Sequence, residues 1–195
     1  VRIKNYSNSY HDNQYRIVHT NFDQKEKWKK ENIEKMASNG SSDLITIFPE
    51  TAFGMYNVRN SNWFVGHIRE ENGDYFNSIG FSNKIYDKKK LVPFGEYIPY
   101  ERQLEMLGLK NLIFMGSMRS GKAQQDFVDN FLPLICYESV FPNFVRKYLK
   151  KETELIINIS NDAWFGEGAG PQQHFTHTRF RSIEHGISLI RSANK

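Results

Sequence analysis

The sequence predicts an α/β fold in which helices cover β-sheets. Two observations support this prediction. Apolar runs of strand length alternate along the chain with segments whose apolar residues recur at helical spacing. One pair of β-type runs is separated only by Glu71-Asn72-Gly73-Asp74, which is a hairpin signal. The chain therefore combines an antiparallel pair with strands that alternate with helices.

The N-terminal half is predicted to place one helix among four strands. Residues 1–15 are polar and typical of a linker, so the folded domain is assigned to residues 16–195. Apolar residues at helical spacing predict a helix over residues 25–37, and Asn39-Gly40 ends it. The apolar runs that predict strands in this half are residues 16–19, 44–48, 63–68 and 75–81.

The C-terminal half continues the alternation. Apolar runs at residues 131–136 and 155–159 predict two more strands, and a helical pattern lies between them at residues 141–149. A long amphipathic helix is predicted over residues 173–190, after a loop rich in Gly and Pro. Because the chain stops soon after this pattern without a capping signal, we expect the fold to be incomplete at its C-terminus.

Composition excludes several classes of protein. Aromatic residues make up 14% of the chain, which excludes a disordered protein. The single cysteine excludes a disulfide framework and a cysteine-rich zinc site. No apolar stretch is long enough to span a membrane as a helix. The net charge of +4 is too small to indicate a particular anionic partner, and we expect none that is a nucleic acid.

Two histidines raise the question of a metal site. His174 and His177 lie three residues apart on the last predicted helix. A metal site needs at least a third ligand, and the sequence offers no HExxH pattern or obvious carboxylate partner. We therefore expect these histidines to belong to a packed or hydrogen-bonded helix face, and we expect no metal and no cofactor.

Polar residues stand where three of the predicted strands end. Glu50 follows the run at residues 44–48, Cys136 ends the run that begins at residue 131, and Asn161-Asp162 follow the last apolar run. In α/β folds, functional side chains lie in loops at strand ends. A carboxylate near apolar walls can take a proton from a thiol, and a thiol at a sharp strand end can act as a nucleophile. Each residue alone also has a structural explanation: Cys136 as a core thiol, and Glu50 as an exposed or helix N-terminal carboxylate.

Two further motifs leave alternatives open. The triplet Lys88-Lys89-Lys90 either lies at a solvated strand end or supplies one lysine that stabilises an oxyanion or a thiolate. Residues 116–123 come within one residue of a phosphate-binding P-loop, although Ala123 replaces the hydroxyl that would bind magnesium. A nucleotide-binding module is therefore an alternative of a different class.

Taken together, Glu50, Lys88 and Cys136 follow the chain order of the catalytic residues of the nitrilase (carbon–nitrogen hydrolase) superfamily, which this chain resembles. Longer motifs narrow the resemblance to the apolipoprotein N-acyltransferases. These motifs are FPETA at 48–52, YDKKKLVPFGEYIP at 86–99, ICYE at 135–138, ISNDAWFG at 159–166, GPQQHF at 170–175 and LIRSAN at 189–194. The resemblance covers nearly the whole chain after the linker.

The resemblance implies a nitrilase-like α–β–β–α sandwich with its active site at the strand ends. It implies that Glu50 is the general base, that Lys88 stabilises the oxyanion, and that Cys136 is the nucleophile. In this family the cysteine takes an acyl group from a phospholipid as a thioester. The acyl group then passes to the N-terminal amine of a diacylglyceryl-cysteine apolipoprotein, so the implied partners are these two substrates and a membrane.

The resemblance also implies supporting residues. The backbone N–H of Tyr137 would help to bind the oxyanion, and Glu96 and Glu138 would orient the lysine and the incoming groups. Trp164-Phe165 and residues 53–56 are candidates for an exposed apolar surface that meets lipid. The family acts in the bacterial inner membrane with this domain facing the periplasm, attached to membrane helices that precede it.

Two alternatives share these residues. A soluble carbon–nitrogen hydrolase, or amidase, would use the same Glu50, Lys88 and Cys136 on a small amide, with water as the second nucleophile. An inactive remnant is the other alternative, because the interval between Glu50 and Lys88 is short for the family and the chain appears truncated.

Overall fold

The computed structural model describes residues 14–194 except 57, 59, 101–116 and 126. Within these residues the strands are β1 (Tyr15–Ile17), β2 (Ile45–Ile47), β3 (Trp63–Glu71), β4 (Asp74–Phe81), β5 (Lys84–Asp87), β6 (Phe131–Ile135), β7 (Leu155–Asn161) and β8 (Ser188–Asn194). The helices are α1 (Lys30–Ala37), α2 (Pro142–Tyr148) and α3 (Gly170–His185). Two short 3₁₀ helices, Cys136–Val140 and Asp162–Phe165, follow β6 and β7 directly.

The strands form two sheets. The first sheet has the order β1-β2-β3-β4-β5, in which β1, β2 and β3 are parallel and β4 is antiparallel to both of its neighbours. The second sheet has the order β6-β7-β8 and is parallel throughout. Asn72 and Gly73 join β3 to β4 with φ angles of 55° and 84°, which suits the right-handed twist of a hairpin. The predicted hairpin is confirmed.

The two sheets pack face to face because their side chains alternate. Ile47 and Phe64 of the first sheet meet Ile157 and Ile159 of the second in one buried cluster. The next residues along the first sheet, such as Phe48 and Val65, point the other way and are covered by α1. The outer face of the second sheet packs against α2 through Leu134, Ile156, Phe144 and Val145. The predicted α–β–β–α sandwich is confirmed.

The last predicted helix is wrong at its C-terminal end. Helix α3 ends at His185, and Leu189 and Ile190, which were assigned to it, lie in β8 beside β7. Gly186 has a φ of 66° in the left-handed region, and this conformation ends the helix. Ile183 in the helix, Ile187 after it and Ile190 in the strand recur at helical spacing, so the combined pattern resembles one helix.

Two boundaries near the N-terminus also differ from the predictions. Strand β1 begins at Tyr15, the last residue of the predicted linker, and residues 1–13 of that linker lie outside the described residues. Helix α1 begins at Lys30 rather than at residue 25. The preceding turns place Lys27 in a buried position, with only 2% of its surface exposed. This turn carries Lys27 to the site described below.

Candidate active site

The polar residues that end the strands meet at one edge of the sandwich. Glu50 follows β2 and Lys88 follows β5 in the first sheet, whereas Cys136 follows β6 in the second. The backbone N–H of Asn161, the last residue of β7, donates to the carboxylate of Glu50 over 2.8 Å. The carboxyl ends of strands from both sheets therefore build a single site.

Glu50 is buried and fully hydrogen-bonded. Its Oε1 accepts from Asn77 Nδ2 at 2.7 Å and from Lys88 Nζ at 3.2 Å. Burial raises the pKa of Glu50, but the charge of Lys88 and the hydrogen bond from Asn77 outweigh burial and leave the pKa below its ordinary value. The carboxylate is therefore ionised at neutral pH and is in the state that accepts a proton.

Lys88 is the member of the lysine triplet that enters the site. Only 1% of Lys88 is exposed, whereas Lys90 is exposed to solvent. Its Nζ donates to Glu50 and, over 2.8 Å, to Glu96 Oε1. Burial lowers the pKa of Lys88, but the neighbouring negative charges, Glu50 foremost, outweigh burial and raise it. Lys88 is thus a fixed positive charge in the site.

Glu96 holds both Lys88 and its own loop. Its Oε1 accepts from Asn77 Nδ2 at 2.7 Å as well as from Lys88, and its Oε2 accepts the backbone N–H of Val92 at 2.8 Å. Asn77 therefore bridges Glu50 and Glu96. These bonds fix the position of the lysine between two carboxylates.

Cys136 stands at the sharp junction of β6 and the 3₁₀ helix. Its φ of 49° lies in the left-handed region, which non-glycine residues rarely adopt. Burial raises the pKa of its thiol to about 12, and the charge of Glu50 adds to this effect against the opposing charge of Lys88. The resting thiol is therefore protonated, next to an ionised carboxylate and a fixed cation.

Glu138 lies behind this cluster and ties two segments together. Its carboxylate accepts the backbone N–H of Ile135 at 2.8 Å and the hydroxyl of Tyr86 at 2.9 Å. It also accepts the backbone N–H groups of Lys89 and Lys90, at 2.7 and 3.2 Å. Burial raises the pKa of Glu138. The residue thus joins the end of β6 to the loop that carries the lysines.

A cavity of about 600 Å³ lies beside the site. Tyr137, the residue after the cysteine, is part of its wall. The other lining residues are Lys89, Lys90, Leu91, Pro93, Tyr97, Ile98, Ser117, Met118, Arg119, Ser120 and Phe141. Apolar side chains and basic groups therefore face the same space.

The predicted apolar surface is present in part. Trp164 and Phe165 are exposed, as are Met55 and Tyr56. Phe53 is wrong as a member of that surface, because it is fully buried and packs edge-on against Phe48 at a ring distance of 5.0 Å. The turns after Glu50 bury residues 51–54 and place Phe53 in the cluster that α1 covers.

Sequence reasoning missed Lys27 and Asn77. Lys27 Nζ donates to Thr51 Oγ1 at 2.7 Å and to the carbonyl of Glu50 at 3.3 Å. Burial lowers the pKa of Lys27 to about 8. The helical pattern had assigned this lysine to a polar face. Asn77 could have been found from the sequence, because it is a polar residue in the middle of a mostly apolar strand.

The P-loop alternative does not fit the structure. Residues 117–125 contain no helix, and three of their backbone N–H groups, those of Met118, Arg119 and Gly121, bind neighbouring segments. Arg119 N donates to Tyr75 O at 2.8 Å, and Gly121 N donates to Lys88 O at 2.8 Å. A phosphate cradle needs free N–H groups at the start of a helix. The segment instead supports the loop that carries Lys88.

Two general features of the described residues bear on function. No cluster of three or more His, Cys, Asp or Glu side chains among them is arranged to hold a metal ion. His174 is buried and hydrogen-bonded, as predicted for this helix face, whereas His177 is exposed. Among the same residues, no helix combines the length and the apolar character that crossing a membrane requires.

Curated proteins with similar sequences are apolipoprotein N-acyltransferases. The one from Brucella suis is 42% identical over 147 residues, which cover 66% of this chain and 27% of the relative. The one from Haemophilus influenzae is 36% identical over 84% of this chain and 31% of its own length. The one from Rickettsia prowazekii is 32% identical over 100% of this chain and 46% of its own length. The chain spans about a quarter to a half of the length of these relatives, and the predicted resemblance is confirmed.

Solved structures and a family profile agree on the fold. A carbon–nitrogen hydrolase from Helicobacter pylori has a TM-score of 0.55 and 12% identity, over 91% of this chain and 71% of that one. A mutant of an amidase of the nitrilase superfamily from Nesterenkonia has a TM-score of 0.55 and 14% identity, over 91% and 74%. The profile of the carbon–nitrogen hydrolases matches residues 65–195. The chain has two stacked sheets and a buried site at the ends of their strands, and it belongs to the carbon–nitrogen hydrolase family.

Proposed function

We propose that this chain is the catalytic domain of an enzyme that moves a fatty acyl group from a phospholipid to the N-terminal amine of a diacylglyceryl-cysteine apolipoprotein. The observation that carries the proposal is the cluster of Glu50, Lys88 and Cys136 at one strand edge. The similarity to apolipoprotein N-acyltransferases supports the choice of substrates. On this proposal the enzyme acts at the bacterial inner membrane, with this domain facing the periplasm.

The first half-reaction forms a thioester. The carboxylate of Glu50 takes the proton of the Cys136 thiol while the sulfur attacks the ester carbonyl of the phospholipid. The ammonium group of Lys88 and the backbone N–H of Tyr137 stabilise the oxyanion. The ester C–O bond then breaks, the proton passes from Glu50 to the leaving oxygen, and a lysophospholipid departs.

The second half-reaction forms an amide. The free amine of the apolipoprotein attacks the thioester carbon, a C–N bond forms, and the C–S bond breaks. Glu50 takes a proton from the amine and returns it to the sulfur, so that the carboxylate and the thiol are regenerated. A thiolate leaves readily when an amine attacks, which favours cysteine over serine for this transfer.

The supporting carboxylates have separate roles in this proposal. Glu96 orients Lys88 through their 2.8 Å hydrogen bond. Glu138 holds the backbone of Lys89 and Lys90 and thereby the loop that carries Lys88. Neither residue needs to exchange a proton with a substrate.

The surroundings of the site suit a lipid substrate. The cavity beside Tyr137 has apolar walls, and Lys90 and Arg119 also line it. Such a lining matches a molecule with acyl chains and an anionic phosphate. Phe94, which is 81% exposed, and Trp164, which is 61% exposed, add large apolar surfaces.

The test uses the full-length protein that contains this chain, in mixed micelles of detergent and phospholipid. A synthetic diacylglyceryl-cysteine peptide is the acceptor, and mass spectrometry follows the N-acylated peptide and the lysophospholipid. We expect an acyl adduct on Cys136 that hydroxylamine removes, and no transfer by Cys136→Ala. Acyl transfer by Cys136→Ala would rule out the covalent mechanism.

The same assay separates the alternatives. An amidase would release ammonia from a small amide and would produce no lysophospholipid. An inactive remnant would form no adduct on Cys136 with any acyl donor. Transfer to the peptide amine in preference to water would support the acyltransferase.

A further inference from the structure

The carbonyl group of Cys136 receives two hydrogen bonds from buried side chains. His174 Nε2 lies 3.0 Å from this oxygen, and Ser139 Oγ donates to it over 3.1 Å. His174 belongs to α3, whereas Ser139 belongs to the 3₁₀ helix that begins at the cysteine. Both donors are buried. Two separate elements thus fix one carbonyl next to the nucleophile.

His174 is itself held by a buried ion pair. Its Nδ1 lies 2.9 Å from Asp162 Oδ1, and Asp162 Oδ2 accepts from the guanidinium of Arg191 at 2.5 Å. Burial raises the pKa of Asp162, but His174 and Arg191 outweigh burial and lower it, so the carboxylate is ionised. The carbonyl oxygen of Cys136 only accepts hydrogen bonds, so a bond at this contact requires the form of the ring in which Nε2 carries a proton. The ring is therefore oriented to donate to Cys136.

The geometry of the peptide bond connects this carbonyl to the chemistry. The C=O of Cys136 and the N–H of Tyr137 belong to one planar peptide unit. Among the described residues no peptide bond is cis, so this C=O and this N–H point in opposite directions. Fixing the oxygen therefore fixes the direction of the N–H. Hydrogen bonds to the oxygen also polarise the peptide and strengthen its N–H as a donor.

We propose that His174 and Ser139 are positioning residues that aim the backbone N–H of Tyr137 at the oxyanion. The inference rests on the proposed function, in which Cys136 is acylated and this N–H binds the oxyanion. The left-handed φ of 49° at Cys136 makes such support necessary, because non-glycine residues avoid this conformation. His174 and Ser139 touch no reacting atom and act only through the peptide.

Two reactions of Cys136 distinguish positioning from a general structural role. Acylation by p-nitrophenyl butyrate passes through an oxyanion: the S–C bond forms, p-nitrophenolate leaves, and the thiol proton goes to Glu50. Alkylation by iodoacetamide displaces iodide at a saturated carbon and forms no oxyanion. The burst of p-nitrophenolate measures the first reaction in the full-length protein, and mass spectrometry measures the second.

We expect His174→Leu to slow acylation about 100-fold, as misplacement of a catalytic group by an ångström does. Alkylation of the same variant should remain at the wild-type rate. His174→Gln keeps an N–H near the position of Nε2 and should recover part of the acylation rate. His177→Leu, an exposed change one turn away on the same helix, is the matched control and should change neither reaction.

Ser139→Ala tests the second donor without removing the partner of Asp162. Ser139→Ala should slow acylation and leave alkylation unchanged. If His174→Leu does not fold, this variant alone tests whether the donors position the peptide. An equal loss in acylation and alkylation, or unchanged acylation in both variants, would overturn the inference. A wild-type protein that shows no burst dependent on Cys136 would instead refute the proposed function itself, before any variant is compared.

Discussion

The charges of the site compensate one another residue by residue. Lys88 stands between the carboxylates of Glu50 and Glu96, at 3.2 and 2.8 Å. A second cation, Lys27, binds the carbonyl of Glu50 from the other side. Burying an unpaired charge costs several kcal/mol, of the order of 3–5 when one partner of a buried pair is removed. Removing any one member of the cluster should therefore change the protonation of the others.

Replacing Lys88 should abolish activity, whereas replacing Lys90 should not. Lys88→Ala removes the cation that keeps the pKa of Glu50 low and that, in the proposed mechanism, stabilises the oxyanion. We expect acyl transfer to fall by at least about 100-fold, the usual effect of losing an oxyanion donor. Lys90→Ala is the comparison within the triplet: Lys90 is exposed and lines the cavity, so its loss weakens lipid binding at most and leaves the pair of Lys88 and Glu50 in place, and most acyl transfer should survive. If Lys90→Ala were inactive and Lys88→Ala active, the assignment within the triplet would be wrong.

The reactivity of Cys136 should rise with pH far beyond the range of an ordinary thiol. Burial raises the pKa of this thiol to about 12, so the neutral form is favoured below that value. An unperturbed cysteine titrates near pH ~8.5 and its alkylation rate then levels off. We expect the rate of alkylation by iodoacetamide to climb steadily from neutral pH to the highest pH at which the protein remains folded. A plateau near pH ~8.5 would show that the thiol is not desolvated.

Sequence patterns predicted the residues that are chemically conspicuous and missed those that depend on the fold. Glu50 and Cys136 stand out because each follows an apolar run, and the resemblance singled out Lys88. Lys27 lies in a strongly charged segment, and a turn rather than a helix takes it into the interior. The pairing of strands, which a periodic pattern does not specify, brings Asn77 to Glu50.

At the scale of elements, strand β3 passes unusually close to the segment that carries Glu50. A Cβ atom added at Gly66 would lie 2.2 Å from the carbonyl oxygen of Pro49 and 2.9 Å from the backbone N of Thr51. Phe53 N also donates to Gly66 O at 3.2 Å. The absence of a side chain at residue 66 therefore allows β3 to support the turn after Glu50.

Gly66→Ala should disturb this turn and displace Glu50. Overpacking of this kind typically costs about 1–3 kcal/mol of unfolding free energy. We expect the variant to lose most acyl transfer and to unfold at lower denaturant concentration. Gly80→Ala on the neighbouring strand is the control, since its Cβ would meet only the ring of His67, at 3.4 Å. Equal behaviour of the two variants would contradict the close approach.

The elements themselves differ in how well the sequence predicts them. The strands β2, β6 and β7 coincide with the predicted apolar runs, and such runs are typical of strands buried on both faces. Strand β5 has only four residues and two polar ends, so it gives no clear pattern. The junction of α3 and β8 was missed because Ile183, Ile187 and Ile190 keep helical spacing across it. Only two residues lie between the two elements, and the left-handed Gly186 is one of them.

At the scale of the molecule, Asn194 joins the N-terminal segment to the second sheet. Its Oδ1 accepts from Thr20 Oγ1 at 2.7 Å and from Phe22 N at 2.9 Å. Its Nδ2 donates to Phe22 O at 3.1 Å. Because Asn194 is buried, these bonds replace water for every group involved.

Asn194→Ala should destabilise the whole fold. Leaving buried partners unsatisfied typically costs about 1–3 kcal/mol each, so urea should unfold the variant at a clearly lower concentration. The amide of Phe22 should also exchange its hydrogen faster. Asn143→Ala provides the comparison, because Asn143 is exposed and its side chain accepts from Arg146 in its own helix. A variant of Asn194 as stable as that of Asn143 would disprove the connection.

The stacking of two sheets could not be derived from the patterns alone. Alternation and apolar runs predict layers of helix on sheet, but they do not specify how many sheets form or which faces meet. The prediction of an α–β–β–α sandwich came from the resemblance to carbon–nitrogen hydrolases. The structure adds that the segment after β1 meets β8, far away in sequence, through the bridge between Thr20 and Asn194.

The division of the site between the sheets has a consequence for how the protein matures. Glu50 and Lys88, the proposed base and cation, follow strands of the first sheet, whereas Cys136, the proposed nucleophile, follows a strand of the second. The bond from Asn161 N–H to Glu50 crosses between them. A nascent chain in which only one sheet has formed therefore cannot bring Glu50 and Lys88 to Cys136. In the proposed mechanism the thiol stays without its base until both sheets have packed, so acylation waits for the complete fold.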